Sequence, residues 1–134
     1  MVFEELFLDQ LFVYAVRLRR EVGKLAPAIE GGGPRLRRIR AALPYRLTED
    51  QERCLGEILE EVERGRPLNR LLQGAVGSRK TVVACLAAAA AADSGVQSAF
   101  MVPPEILAEQ HLRTLRELGA PFGLEPRLLS GSLS

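Results

Sequence analysis

The chain has 134 residues, enough for one small domain with a real core. A hydrophobic fraction of 47% and a charged fraction of 26% exclude disorder as the default, and a formal net charge of +1 removes any global imbalance that would advertise nucleic acid or a membrane surface. The two cysteines, Cys54 and Cys85, have no paired spacing and no neighbouring ligand residue, so they read as buried reduced thiols of a cytosolic protein, not as a disulfide framework or zinc site.

Phe3 to Arg20 reads as an amphipathic helix: Phe3, Phe7, Leu11, Tyr14 and Leu18 recur at three- and four-residue steps. Glu4 and Glu5 stand where a signal peptide would carry basic residues, so no secretory leader is expected. Gly23 to Pro34, with Pro27 and Gly31-Gly32-Gly33, reads as a flexible connection. Pro34 is placed to open a short helix through Ala42, with Leu43-Pro44 closing it. Arg35, Arg37, Arg38, Arg40 and Arg46 form a local basic cluster. Its plain reading is a solvated helix face, and the sharper one is contact with DNA phosphates.

Thr48 and Gln51 have the spacing of a capping box, and Leu55, Ile58, Leu59 and Val62 supply one apolar stripe before Gly65 ends the helix. Arg70 to Gln73 is a short apolar run that predicts a strand. Lys80 to Asp93 predicts a helix with six consecutive alanines, a smooth side suited to close packing on a sheet, and Gly95 stops it. This run is too short to span a bilayer, so no membrane partner is expected. Ser98 to Val102 is a second predicted strand, Glu105 to Leu118 a helix stopped by Gly119, and Arg127 to Leu129 a third apolar run. Alternation of strand and helix from residue 70 onward predicts an α/β domain with a parallel sheet and right-handed crossovers.

Between the first strand and its helix lies Gly74-Ala75-Val76-Gly77-Ser78-Arg79-Lys80-Thr81. This is a P-loop, G-x-x-x-x-G-K-[ST], with Arg79 where glycine should stand. Triphosphate is dense negative charge. Glycines let backbone N–H groups turn inward, the helix N-terminus adds partial positive charge, Lys80 reaches the β/γ-phosphates and the Thr81 hydroxyl ligates Mg²⁺. The bland alternative, a strand-turn-helix joint with an accidental Lys-Thr, fits the surroundings less well. An arginine side chain at 79 is expected near the phosphate path, with weakened or abolished hydrolysis and not certainly abolished binding.

Three further residues invite chemistry. Gln51 is fully explained by the capping box, and its amide also suits adenine, pairing with a ring nitrogen and the exocyclic amine. His111, the single histidine, lies within a helix, where a structural or solvated role is the usual one. Glu105 and Glu109 sit one helical turn apart, but no partner makes them an acid–base pair.

Residues Ala42 to Gln51 and Asn69 to Thr81 resemble the entry to the motor of the RecG branched-DNA helicases. Met101 to His111 looks like that family's next helicase motif, Ser130-Gly131-Ser132-Leu133 like the start of a following one, and Phe3 to Phe7 like the helix joining a DNA-binding wedge to the motor. The repair-coupling translocases share parts of the pattern. The resemblance implies a partial RecA-like domain over 44–134 after a helical linker over 1–43, using ATP and Mg²⁺ to move on branched duplex DNA during repair and recombination in the cytoplasm.

By position, Gln51 matches the family's adenine-reading glutamine. Gly74, Gly77, Ser78, Lys80 and Thr81 match its phosphate and magnesium site, with Lys80 and Thr81 also as the catalytic pair. Pro103, Glu105, Gly131 and Ser132 match motifs that contact the DNA backbone. Three positions depart: the family has Asp at Ala75, Gly at Arg79 and Thr at Pro104. The family's acidic box and second motor domain do not occur in these residues, so the chain by itself is not expected to be a complete helicase, and the second motor domain would be its natural intramolecular partner. Two alternatives stand beside this reading: a degenerate remnant that binds nucleotide or DNA weakly or does nothing, and another P-loop class such as a small-molecule kinase.

Overall fold

The computed structural model describes residues 7, 8, 10–16, 25–75, 77–103 and 105–130. Residues 7, 8 and 10–16 are helical (α1), as the spacing predicts. Among its described residues Phe12 is 71% exposed and Tyr14 61%. The ends of the predicted Phe3–Arg20 helix lie outside the described residues.

Helix α2 (Pro34–Ala42) begins with proline at its first position and buries Leu36 and Ile39. Proline has no N–H to satisfy, so the first donors that need partners are those of Arg35 and Leu36. Both find them on Asp93, far along the chain. Arg35 N–H donates to Asp93 Oδ2 at 2.9 Å and Leu36 N–H to the same oxygen at 3.3 Å. The Arg35 guanidinium returns to Asp93 Oδ1 at 3.3 Å and to the Ala92 carbonyl at 3.1 Å. The cap is non-local, and its carboxylate is 3% exposed.

This geometry corrects the expectation of a flexible glycine connection. A β-carbon on Gly33 would lie 2.1 Å from Asp93 Oδ2. Gly33 is therefore the residue that lets Asp93 reach the start of α2. Glu30 N–H donates to Ser94 Oγ at 2.9 Å and Gly31 N–H to Glu63 Oε1 at 2.8 Å. Upstream, Ala26 N–H bonds the Gly65 carbonyl and Ile29 N–H the Val62 carbonyl. The segment is short of side chains because it is pressed against two helix ends.

Helix α3 (Glu49–Glu63) starts at the predicted capping box, with both reciprocal bonds formed, and ends at Gly65 with φ of 65°. Helix α4 (Lys80–Asp93) ends as predicted at Gly95, φ 74°, where Val96 N–H reaches back to the Ala91 carbonyl. Helix α5 (Glu105–Gly119) does not stop at its glycine. It continues into a 3₁₀ turn, Ala120–Phe122, that closes at Gly123 with φ of 80°. Position 119 is buried and tight: a β-carbon there would press on Leu124 at 2.9 Å.

The core is built around α4. Val82, Val83, Leu86, Ala89 and Ala90 bury against Leu36 and Ile39 of α2 and Leu55 of α3, with Leu118, Phe122 and Leu124 packed at the margin. The alanine run does give α4 a smooth side, but that side meets helices rather than a sheet. Short side chains bring helix axes close, and an all-apolar helix is stable only when surrounded.

No strand is formed among the described residues. The three predicted strands, over 70–73, 98–102 and 127–129, are irregular segments. A parallel strand holds no hydrogen bonds within itself and becomes a strand only beside a neighbour; these segments make no ladder with one another. Several of their apolar residues are left exposed, Leu71 at 81%, Met101 at 99% and Leu129 at 95%, while Leu72 packs against the core. Arg70 fixes the start of the first segment by forking onto Glu57 and Glu61, one turn apart on α3. Those hydrogen bonds, Glu61 first and then Glu57, raise the Arg70 pKa further.

Candidate nucleotide site

The glycine-rich turn leads directly into the N-terminus of α4. Each predicted glycine position has its own reason. At Gly74 a β-carbon would meet Ser78 Oγ at 2.6 Å, so close approach requires glycine. At Gly77 the backbone is left-handed, φ 85°. At position 79 it is left-handed again, φ 54° and ψ 40°, but the residue is arginine. Among the described residues Arg79 is the single non-glycine with positive φ. A β-carbon in that conformation costs about 1–2 kcal/mol.

Arg79 lines the same cavity as Gly74, Gly77, Ser78 and Lys80. Its guanidinium is turned onto the ring of Tyr45, 3.8 Å from the ring centroid. The arginine thus adds a backbone cost and covers one ring of the cavity lining.

Lys80 folds back into the loop. Its Nζ donates to the Gly74 carbonyl at 2.8 Å, the Ala75 carbonyl at 3.1 Å and Ser78 Oγ at 3.3 Å. An ammonium has three donors, and all three are used. Helix α4 has no side-chain cap at its N-terminus and no acidic residue in its first turn. Its first N–H groups and its dipole are therefore not neutralised from within the helix, the arrangement that favours an anion. Thr81 sits half-buried in that first turn.

Gln51 performs two tasks at once. Its Oε1 accepts from the Thr48 backbone N–H at 2.9 Å, completing the capping box, while its Nε2 donates to the Ser78 carbonyl at 2.8 Å. One amide joins the start of α3 to the P-loop. An amide has two donor hydrogens and two acceptor lone pairs, so one of each remains for a ligand.

Most of these residues share one cavity of about 450 Å³, within the size range of small-molecule sites; Thr81 is not part of its lining. Gln51, Gly74, Gly77, Ser78 and Lys80 line it, as do Tyr45 and Cys54. Sequence reasoning misses the last two. Cys54 has a signal in the sequence, since it follows Gln51 by three on one helix and so shares its face. Tyr45 precedes the helix, where periodicity says nothing. Burial pushes the thiol of Cys85, a core residue of α4, up to about 11.

Of the residues matched to DNA contacts, Pro103 and Glu105 are not part of this cavity's lining. Pro103 is exposed in a bend, and Glu105 opens α5. Gly131 and Ser132 lie outside the described residues, as do Val76 and Pro104. His111 and Glu109 lie on α5, away from the cavity lining. Among the described residues no group of three or more His, Cys, Asp or Glu gathers to hold a metal ion, and no helix is long and apolar enough to cross a membrane.

The family model described as DEAD/DEAH box helicase matches residues 48–133, a span that holds the glutamine, the P-loop and the start of α5. Over the whole chain the sequence is 45% identical to an ATP-dependent DNA helicase RecG of Aquifex aeolicus, covering 17% of that protein. The RecG of Streptococcus pneumoniae is 43% identical over 98% of this chain, and that of Thermotoga maritima 42% identical over 98%. The chain spans under a fifth of each, 19% and 17% of the latter two. No solved structure matches.

Proposed function

The chain belongs to the DEAD/DEAH box helicase family, and we propose that it carries the nucleotide-binding entry of a RecG-type ATP-dependent DNA helicase motor. The observation that carries this reading is the bond from Gln51 Nε2 to the Ser78 carbonyl at 2.8 Å. It joins two separately predicted elements, a capping glutamine and a phosphate loop, around one cavity.

ATP with Mg²⁺ is the ligand the residue types suit. The uncapped N-terminus of α4 and the inward loop would hold the phosphates, Lys80 would exchange its three loop acceptors for phosphate oxygens, and Thr81 would ligate the ion. Gln51 would offer its remaining donor and acceptor to adenine. Bound Mg²⁺ would neutralise charge developing on the β/γ-phosphates.

The rest of the reading follows the relatives. Residues 1–43 act as a helical linker, and 44–134 form part of a RecA-like domain. The segments at 70–73, 98–102 and 127–129, irregular here, would pair as its parallel strands once neighbours are present, burying exposed apolar residues such as Leu71, Met101 and Leu129. Branched duplex DNA is the substrate in the cytoplasm, with Pro103, Glu105, Gly131 and Ser132 at its backbone. A second reading, a degenerate site that binds without turnover, is favoured by one observation, the left-handed arginine at 79.

Titration with a fluorescent ATP analogue and Mg²⁺ tests the site. Saturable binding that weakens at least about tenfold in Lys80→Ala supports it; binding that ignores Lys80 removes the P-loop from the account. Phosphate release by the wild type above background would reject the degenerate reading.

A further inference from the structure

We infer that Arg79 competes with a nucleotide's base for the face of Tyr45, so that this P-loop selects ligands by their phosphates and gains little from the base. The inference rests on the nucleotide-site reading and adds the residue that sets its specificity.

The cavity runs from the phosphate loop to Tyr45, Gln51 and Cys54. Phosphates belong at its α4 end, where the helix dipole and Lys80 lie. The remainder of a nucleotide must extend toward the other end. Tyr45 is the single aromatic residue in the lining. A planar base gains most by lying flat on such a ring.

That face is taken. The guanidinium carbon of Arg79 stands 3.8 Å from the ring centroid, at stacking distance. A guanidinium is planar, and it stacks on a tyrosine face through both its charge and its shape. The occupant is also anchored. Arg79 is the residue preceding α4, in a left-handed conformation from which the helix starts. Its backbone cannot retreat without unwinding the first turn of α4, so only side-chain rotation opens the ring. Among the described residues no carboxylate forms an ion pair with Arg79, and Asp50, in the same cavity lining, pairs with Arg53. The ligand best fitted to the closed site is a polyphosphate without a base, which uses the loop and leaves the ring covered.

The test measures ATP and inorganic tripolyphosphate, each with Mg²⁺, by calorimetric titration of the full chain. Arg79→Ala removes a positive charge that both ligands feel, so the readout is the ratio of their affinities. In the wild type that ratio is expected to be within about threefold of unity. In Arg79→Ala it should move about tenfold toward ATP, or about 1.4 kcal/mol. Arg79→Gly, which suits the left-handed backbone, should move it equally and serves if the alanine variant loses helix by circular dichroism. In a Tyr45→Leu background, Arg79→Ala should leave the ratio where it was. A wild type that already prefers ATP a hundredfold overturns the inference, as does an Arg79 variant that changes both affinities alike. If neither ligand binds the wild type, or Lys80→Ala changes neither affinity, the phosphate-site reading itself fails and takes this inference with it.

Discussion

Gln51 and Ser78 lie 27 positions apart, and the glutamine amide closes on the serine carbonyl at 2.8 Å while still capping its own helix. A helix start and a phosphate loop are thereby one mechanical unit. Gln51→Glu separates the two roles. A glutamate at this position still accepts from Thr48 N–H but cannot donate to Ser78. It should keep the helix cap but set a carboxylate oxygen against the Ser78 carbonyl, lowering stability by about 1 kcal/mol through the loop and lowering nucleotide affinity. Gln51→Ala should do both kinds of damage, losing about 1 kcal/mol of stability at the cap as well. Urea unfolding and ATP titration of the same two variants check this.

Asp93 is a target for destabilisation outside the apolar core. It caps α2 from another helix and holds Arg35. Asp93→Ala should lower the unfolding free energy by about 2 kcal/mol, in keeping with the loss of hydrogen bonds to a charged group. Gly33→Ala should cost a similar amount for a different reason, since its new methyl meets Asp93. Because both act on one contact, the double variant should be little worse than either single one. Additive losses would show that the two sites are independent.

Position 79 separates backbone cost from stacking. Arg79→Ala keeps the left-handed strain and loses the Tyr45 contact. Arg79→Gly loses the contact and the strain together. The glycine variant should be the more stable of the two by about 1 kcal/mol, measured by chemical denaturation. Equal stability would mean that the left-handed geometry is not kept in solution.

The thiols should react at very different rates. Cys54 is half-buried at the cavity, and Cys85 is buried with its pKa raised from 9.0 to about 11. At pH 8 a disulfide exchange reagent should label Cys54 and spare Cys85 until the chain unfolds. The sign of the pH effect follows. Between pH 9 and 11 the unfolded chain gives up the Cys85 proton while the folded chain keeps it. The thiol's contribution to stability is full below pH 9 and is lost as pH rises through this window, at up to about 1.4 kcal/mol for each pH unit crossed. Cys85→Ala should flatten that fall in alkaline urea melts.

Local signals in the sequence are reliable wherever the chain decides its own shape. The Thr48–Gln51 box, the stops at Gly65 and Gly95, and helix α4 all stand where spacing puts them. Gly77 and Lys80 are legible as loop chemistry for the same reason. What sequence does not show is set by distant partners. The glycine run reads as slack because Asp93 is invisible from position 33. The alanine face suggests a sheet because smoothness names no partner, and helices meet it instead. The segments at 70–73, 98–102 and 127–129 have strand-like composition, but pairing is a property of neighbours. Tyr45 enters the site through Arg79, a contact between a residue before one helix and a residue before another.

The bond between Arg35 and Asp93 also carries a timetable. The two residues are separated by 58 positions, and synthesis delivers the first long before the second. While the chain is growing, α2 lacks the group that caps it, and nine residues alone are too few to hold a helix in water. It is expected to be completed only when the last turn of α4 has emerged. In refolding, protection of the Arg35 and Leu36 amides should therefore appear together with that of the residues around Ala91, as a late closing step rather than an early local one.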